Sequence, residues 1–357
     1  MPEFKLVEHP VELAAVLAAA DCVAIDTEFM REKTFFSQLC LVQVAFGEHI
    51  YCIDPLGGDD LEPFWDASMP VPWVLHSGRQ DIEVIYQAAG RMPASVFDTQ
   101  VAAGLLGYPP QLGYAALVKE LFDVSIDKSH TRADWSRRPL PDEYLHYAAE
   151  DVEYLLPAYD VLAECLDRKG RLDWARQDSA MLLDPALYEV DPAAAIDRLK
   201  GARNLRGKRR AAAVGLAEWR EQEALRSNRP RQWIAKDSVL LDIASQLPAN
   251  TRELARIDGL PGGLVRRSGD RLVKVVAAAV TGEQRYAPPR SPDEAQKALL
   301  KSMQAEVAQR SRELGIAPEA IASRRDLSAV IIGGENNSRL LTGWRRELIG
   351  ADLLRLV

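Results

Sequence analysis

The sequence predicts an α/β domain, with a mixed sheet flanked by helices, followed by two all-α helical domains. Apolar, β-branched runs alternate with helical periodicity in the first part of the chain, and strand signals largely disappear beyond about residue 155. A proline-rich cluster at residues 287–292 then divides the helical part in two. Because 357 residues exceed what one core usually supports, we expect domains at residues 1–195, 196–286 and 287–357.

The order of the early elements predicts how the sheet is built. Short strands are expected at residues 4–8, 22–26, 39–46, 49–53, 73–76 and 95–97, with helices at 11–20 and 80–89. Gly47 and Glu48 separate two of these strands by a hairpin turn, which predicts antiparallel pairing there. The later alternation of strand and helix favours parallel crossovers.

The rest of the chain carries helical patterns. Helices are expected at residues 154–169, 205–226, 238–246, 270–280 and 294–314. Residues 231–240 and 318–327 share a loose pattern, which indicates a duplicated helical module.

Composition limits the class of protein. The chain is 47% hydrophobic and 27% charged, as in ordinary globular proteins, and it has neither a membrane-length apolar run nor a secretory signal pattern. Cys22, Cys40, Cys52 and Cys165 form no CxxC pair, so we expect reduced, buried thiols, no structural zinc and a cytoplasmic location.

The net charge of −8 hides a basic run at residues 201–236. Its cations are Arg203, Arg206, Lys208, Arg209, Arg210, Arg220, Arg226, Arg229, Arg231 and Lys236. Such a local patch is typical of a nucleic-acid footprint, although a solvated helix face would have the same composition.

Carboxylates carry the most informative pattern. Asp26 and Glu28 lie at the end of an apolar run, and residues i and i+2 of a strand project from one face. Asp81 opens a predicted helix after the strand at 73–76, while Tyr147 and Asp151 stand one helical turn apart. Alone, these residues could be strand-end acids and a core tyrosine.

Together they predict a metal site. The four carboxylates offer only hard oxygen ligands, which suit Mg²⁺ or Mn²⁺, and two such ions can clamp a phosphodiester displacement. A phenol beside them could orient the attacking water. Asp54 and Asp98 compete with Asp81 for a ligand role, but Asp98 is better placed to cap the following helix.

A basic and aromatic segment could contact the substrate. Lys128, Arg132, Arg137 and Arg138 surround Trp135, a combination that suits a single-stranded end, although Trp135 could equally anchor the loop in the core. Residues 201–209 only superficially match a phosphate loop, since no strand precedes them and Arg209 replaces Ser or Thr, so we expect no ATP site.

Several motifs of the sequence resemble those of a known family. Asp26-Thr-Glu28-Phe, Asp81-Ile-Glu-Val and Tyr147-Ala-Ala-Glu-Asp151 match the motifs of the DEDDy superfamily of 3′→5′ exonucleases, and in detail bacterial ribonuclease D. The helical region resembles two HRDC modules in tandem, which are nucleic-acid-binding accessory domains. The resemblance covers nearly the whole chain, with His130 and Arg79 as local departures from the expected pattern.

The resemblance implies an RNase H-like fold and removal of nucleotides from RNA 3′ ends, tRNA precursors included. It implies that Asp26, Glu28, Asp81 and Asp151 bind two divalent ions and that Tyr147 orients the water. Lys128, Arg132 and Trp135 stay candidate substrate contacts. A single-strand DNA exonuclease and a nonenzymatic RNA-binding scaffold remain alternatives, and we expect a monomer without membrane partners.

Overall fold

A computed structural model describes residues 3–7, 9–58, 60–127, 130, 133–282, 292–333 and 338–356. The chain forms two compact units. Unit 1 comprises residues 1–30, 39–188 and 290–357, and unit 2 comprises residues 31–38 and 189–289. The predicted mixed sheet flanked by helices is confirmed, and it lies in unit 1. No helix among the described residues is long and apolar enough to cross a membrane.

The sheet of unit 1 has six strands in the order β1-β4-β3-β2-β5-β6. They are β1 (Phe4–Val7), β2 (Val23–Met30), β3 (Gln38–Phe46), β4 (His49–Ile53), β5 (Trp73–Leu75) and β6 (Val96–Asp98). The hairpin β3–β4 is antiparallel, as predicted, whereas β1 pairs with β4, β2 with β5 and β5 with β6 in parallel. Strand β2 runs past the predicted end, so both of its carboxylates lie inside the strand.

Helices cover the sheet of unit 1. After a 3₁₀ turn at Pro10–Leu13, they are α1 (Ala14–Leu17), α2 (Glu62–Ser68), α3 (Arg79–Ala89), α4 (Thr99–Leu106), α5 (Tyr114–Phe122), α6 (Asp142–Glu153), α7 (Leu155–Arg168) and α8 (Leu172–Ala180). Along β3, Val42 and Val44 join one apolar cluster while Leu41 and Ala45 join another, because successive side chains face opposite sides of the sheet. Helix α6 packs on β2 and β4 and α3 on β2, so both contact the strand that carries the paired carboxylates.

Unit 2 is helical around its own apolar core. Short 3₁₀ turns lead into α9 (Gly207–Ser227), α10 (Arg231–Ile234), α11 (Asp237–Gln246), α12 (Thr251–Leu254) and α13 (Gly262–Thr281). Helix α13 begins earlier than predicted, immediately after Pro261. Asn228 caps α9 in the left-handed conformation, and its side chain accepts hydrogen bonds from the backbone N–H groups of Phe35 and Phe36 at 3.1 and 3.0 Å. The guanidinium of Arg231 lies 4.4 Å from the ring centre of Phe35, so residues 31–38 fold with this unit.

The C-terminal helices repeat the order seen in unit 2. They are α14 (Glu294–Leu314), α15 (Pro318–Ile321), α16 (Arg324–Gly333), α17 (Gly343–Arg345) and α18 (Ala351–Leu354), with a π-helical turn at Arg346–Gly350. Helices α14, α15 and α16 have 21, 4 and 10 residues, the same lengths as α9, α10 and α11. This repetition supports the predicted duplicated module.

The C-terminal segment nevertheless packs within unit 1. Trp344 stacks on Trp174 with ring centres 4.3 Å apart, and its indole N–H donates to Asp178 Oδ1 at 3.0 Å. Arg345 forms an ion pair with the same carboxylate and donates to the carbonyl of Ile321 at 2.8 Å. The second module therefore shares an apolar core with helices α4, α7 and α8 of unit 1.

The cysteines are free, as predicted, but only two are buried as expected. Cys40 and Cys52 lie inside the apolar core, whereas Cys22 and Cys165 are partly exposed.

Candidate active site

Strand β2 and helix α6 bring three of the predicted carboxylates together. Asp26, Glu28 and Asp151 each offer an oxygen, and these oxygens lie within 4.8 Å of one another. Asp26 and Glu28 project from one face of β2, and α6 packs across β2 with Asp151 near its C-terminal end. Two carboxylates at positions i and i+2 of β2 thus lie beside a carboxylate of α6 that is more than a hundred residues away in the sequence.

The cluster is electrostatically strained without a cation. Burial raises the pKa of Asp26 well above its usual range, and the charges of Asp81, Asp151 and Glu28 raise it further. Burial, followed by repulsion from Asp151 and Asp81, raises the pKa of Glu28 to about 9. Burial and mutual repulsion therefore favour the protonated forms of Asp26 and Glu28 unless positive charge neutralises them. The residues therefore fit a hard divalent cation, which prefers oxygen ligands.

Asp81 lies beside this cluster but outside its three-oxygen set. It stands in the first turn of α3, and its Oδ1 accepts a hydrogen bond of 2.6 Å from the hydroxyl of Thr27. Burial raises the pKa of Asp81 to about 6, and the bond from Thr27 opposes that rise. Asp81 therefore keeps more of its negative charge than Glu28 does near neutral pH.

Asp98 caps a helix, as the sequence analysis favoured. Its Oδ1 accepts from the backbone N–H of Gln100 at 2.8 Å, at the start of α4. The same carboxylate accepts from the N–H groups of Ser77 and Gly78, both at 3.0 Å. Ser77 adopts φ +58, and a Cβ on Gly78 would come within 2.7 Å of Leu75 Cβ, so this turn is tight. Asp98 thus holds the loop that leads to Asp81.

Asp54 is occupied by an ion pair. Arg138 Nε donates to its Oδ2 at 2.6 Å and Nη2 donates to its Oδ1 at 2.5 Å. Arg138 also donates to the carbonyls of Cys40 and Trp135, at 2.7 and 2.8 Å. Arg138 therefore stabilises the packing within unit 1, whereas the basic and aromatic segment around Trp135 had suggested a contact with a single-stranded end.

The aromatic residues around Tyr147 form a packed group. The ring of Trp135 lies 6.0 Å from that of Tyr147 and 5.3 Å from that of Tyr144, and Trp135 is only 2% exposed. A tryptophan so deeply buried has no free face on which a base could stack, so the loop-anchor alternative fits the structure better than the substrate contact. Lys128 and Arg132 lie outside the described residues. His130 packs edge-on against Tyr147 at 5.8 Å.

Two residues near the site, Thr27 and Tyr114, were not predicted from the sequence. Thr27 faces away from Asp26 and Glu28, and a polar residue on the second face of a buried strand signals that a partner must satisfy it. Tyr114 is partly buried at the start of α5, and its hydroxyl bonds to the backbone of both Glu150 and Tyr154. No local pattern marks Tyr114, because its partners are distant in sequence.

Comparison with known proteins gives a consistent result. Residues 5–167 match the family described as 3′-5′ exonuclease, and residues 210–276 match the HRDC domain. Ribonuclease D of Acidiphilium cryptum (strain JF-5) is 41% identical over 99% of this chain and 93% of its own length. Ribonuclease D of Gluconacetobacter diazotrophicus is 40% identical over 94% of this chain and 87% of its own length.

Solved structures agree with these relatives. The crystal structure of Escherichia coli RNase D, described as an exoribonuclease involved in structured RNA processing, has a TM-score of 0.89 and 30% identity, covering 99% of this chain and 98% of its own. The catalytic core of RRP6 from Trypanosoma brucei, at 23% identity and a TM-score of 0.60 over 78% of this chain and 80% of its own, shares the fold.

Proposed function

This chain belongs to the ribonuclease D family, and from that premise we propose that it removes nucleotides from RNA 3′ ends at the cluster of Asp26, Glu28 and Asp151. The observation that carries the proposal is the convergence of these carboxylates within the part of the chain, residues 5–167, that matches the 3′-5′ exonuclease family. A nonenzymatic scaffold would have no need to keep mutually repelling acids partly buried together.

We propose that the site holds two divalent ions, Mg²⁺ or Mn²⁺. Asp26, Glu28 and Asp151 would hold the first, while Asp26 and Asp81 are the candidates for the second. When bound, such ions activate water and stabilise the attacking and leaving oxygens of phosphodiester hydrolysis. The carboxylates of the chain fix where the reacting phosphate can lie, and Thr27 keeps Asp81 oriented at 2.6 Å.

Tyr147 is the proposed residue for orienting the attacking water. It lies on α6 one turn before Asp151, so both side chains leave the same face of the helix. Its ring is held against Trp135 and His130, which limits its rotation. A phenol so fixed can hold a water molecule by hydrogen bonding and orient it.

Unit 2 supplies a surface suited to RNA. Several cations of the basic run are engaged inside the unit: Arg231 with Glu221 at 2.6 Å, Arg220 with Asp237 at 2.6 Å and Arg226 with Glu223 at 2.5 Å. Others are exposed and have no ion pair among the described residues, namely Arg203, Lys208, Arg209, Arg229 and Lys236. Trp233, 54% exposed on α10, offers an aromatic face between two of them. Unpaired cations with an exposed aromatic ring favour a single-stranded nucleic acid.

The proposed natural substrates are structured RNAs with single-stranded 3′ ends, tRNA precursors among them. A time course on RNA labelled at either end, with and without Mg²⁺, tests this directly. We expect 3′-labelled RNA to release mononucleotides at once and 5′-labelled RNA to shorten stepwise, only when Mg²⁺ is present. Matched DNA oligomers test the alternative function of a single-strand DNA exonuclease. Digestion of the DNA oligomer faster than the matched RNA would establish that alternative. Asp151→Ala should abolish cleavage and leave RNA binding intact.

The role of unit 2 needs a test that spares the core. Deleting residues from 200 onward would also remove Trp344 and Arg345, which belong to the core of unit 1. We instead expect the double variant Lys208→Glu and Arg209→Glu to weaken RNA binding ~10-fold or more and to reduce its salt dependence. The matched control reverses Lys297 and Lys301, exposed residues of α14 in unit 1. Equal effects of the two doubles would refute a specific role for unit 2.

A further inference from the structure

Tyr114 occupies an unusual position in the backbone hydrogen bonding next to Asp151. In an uninterrupted α-helix, the N–H of residue 154 would donate to the carbonyl of residue 150. Here the hydroxyl of Tyr114 stands between them: it donates to the Glu150 carbonyl at 3.1 Å and accepts from the Tyr154 N–H at 3.0 Å. Side chains that insert into the helical ladder in this way are a known cause of breaks and bends.

The break occurs where this insertion lies. Helix α6 ends at Glu153, α7 begins at Leu155, and Tyr154 between them has φ −104 and ψ 5. Asp151, which joins the carboxylate cluster, lies within the interrupted turn between Glu150 and Tyr154. The direction in which Asp151 leaves α6 therefore depends on how that turn is held.

We propose that Tyr114 is a positioning residue, whose hydroxyl sets the metal-binding geometry of Asp151 by splitting α6 from α7. This inference rests on the proposed function only in assigning Asp151 as a metal ligand. Tyr114 acts through the backbone of Glu150 and Tyr154 and does not itself contact the metal or the RNA.

The start of α5 is fixed well enough to hold such a wedge. The carbonyl of Leu112 accepts hydrogen bonds from His76 Nε2 at 2.9 Å and from Gln100 Nε2 at 3.0 Å. Gly113 then caps α5, and Tyr114 is the first residue of the helix. The ring of Tyr114 also lies 5.7 Å from that of His76. Residues that follow β5 and β6 thereby locate the hydroxyl that divides α6 from α7.

The hydroxyl keeps its proton in this setting. Burial raises the pKa of Tyr114 well above its usual range, and the nearby charges of Asp151 and Asp26 raise it further. The phenol consequently stays a donor to the Glu150 carbonyl throughout the pH range in which the enzyme would work.

The test is Tyr114→Phe, which removes only the hydroxyl and leaves the ring. Without the wedge, Tyr154 can bond directly to Glu150, so the turn straightens and Asp151 shifts. We expect the affinity of the RNA-free protein for Mn²⁺, measured by electron paramagnetic resonance, to fall ~10-fold. We expect kcat on RNA to fall by a similar factor while KM stays the same. Hydrogen exchange of the Tyr154 amide should also change.

A matched control is Tyr159→Phe on α7, because the Tyr159 hydroxyl has no hydrogen bond among the described residues. This control should keep the Mn²⁺ affinity and kcat of the unmodified protein. Thermal melting sets a temperature at which every variant is folded. If Tyr114→Phe binds Mn²⁺ as tightly as the unmodified protein, the positioning role is wrong. An unmodified protein that binds Mn²⁺ but fails to degrade RNA would instead refute the proposed function alone.

Discussion

Replacing Glu28 by glutamine should stabilise the metal-free protein while destroying its activity. Burial and the neighbouring charges of Asp151 and Asp81 raise the pKa of Glu28 from 4.5 to about 9. Between those values the folded protein holds a proton on Glu28 that the unfolded chain has released. Stability is therefore fully present below 4.5 and is lost progressively as the pH rises toward 9.

The magnitude follows from the same values. At pH 8 the pH lies 3.5 above the ordinary value of 4.5, and at ~1.36 kcal/mol per pH unit this costs the metal-free protein up to about 5 kcal/mol. At pH 5 the same reasoning gives under about 1 kcal/mol. The glutamine amide does not titrate between these pH values. The free energy of unfolding of Glu28→Gln should therefore exceed that of the unmodified protein by most of this amount at pH 8 and by little at pH 5.

The assay is thermal unfolding of metal-free protein at pH 5 and pH 8. The transition to be measured is the one whose midpoint temperature Mg²⁺ raises in the unmodified protein. Mg²⁺ should raise that transition strongly for the unmodified protein and weakly for Glu28→Gln, which has lost an anionic ligand. The control is Glu143→Gln, an exposed change on α6. A Glu28→Gln variant no more stable than the unmodified protein at pH 8 would contradict this prediction, as would an unmodified protein equally stable at pH 5 and pH 8.

Three further predictions concern the supports of the site. Thr27→Val removes the 2.6 Å hydrogen bond that lowers the pKa of Asp81, so the acid limb of the pH profile of kcat should move to higher pH; an unmoved limb would contradict this. Arg138→Lys cannot keep both bonds to Asp54 and should cost about 2 kcal/mol in urea unfolding, because the pair is mostly buried. Trp344→Ala, at a site 3% exposed, should cost about 3–5 kcal/mol, and a loss below about 1 kcal/mol would mean that the stacked ring contributes little.

The sequence predicted most of the sheet because its strands carry strong local patterns. Strand β4 has the predicted bounds. Strand β2 extends beyond its predicted end at residue 26, because Thr27 and Glu28 are polar residues that did not continue the apolar pattern. The paired carboxylates were predictable from the period of two. The convergence of Asp151 on them was expected from the combined set of carboxylates and from the family resemblance, because no local rule joins positions so far apart.

Other features depended on distant packing and could not be predicted. Trp135 lies between basic residues in the sequence, yet its ring is buried against Tyr144. The proline-rich cluster at 287–292 suggested an independent C-terminal domain, but Trp344 and Arg345 attach that segment to the core of unit 1. In both places tertiary contacts outweigh the local composition.

The fold of residues 31–38 with unit 2 has a consequence for exchanging modules between relatives. The chain passes between the units four times, at residues 30–31, 38–39, 188–189 and 289–290, so unit 2 is not formed by one continuous segment of the chain. A graft that replaced only residues 189–289 would strip Phe35 of the side chains of Asn228 and Arg231. Transplants of this accessory module should therefore carry the loop between β2 and β3 with them, and recombination breakpoints that separate the two should be selected against.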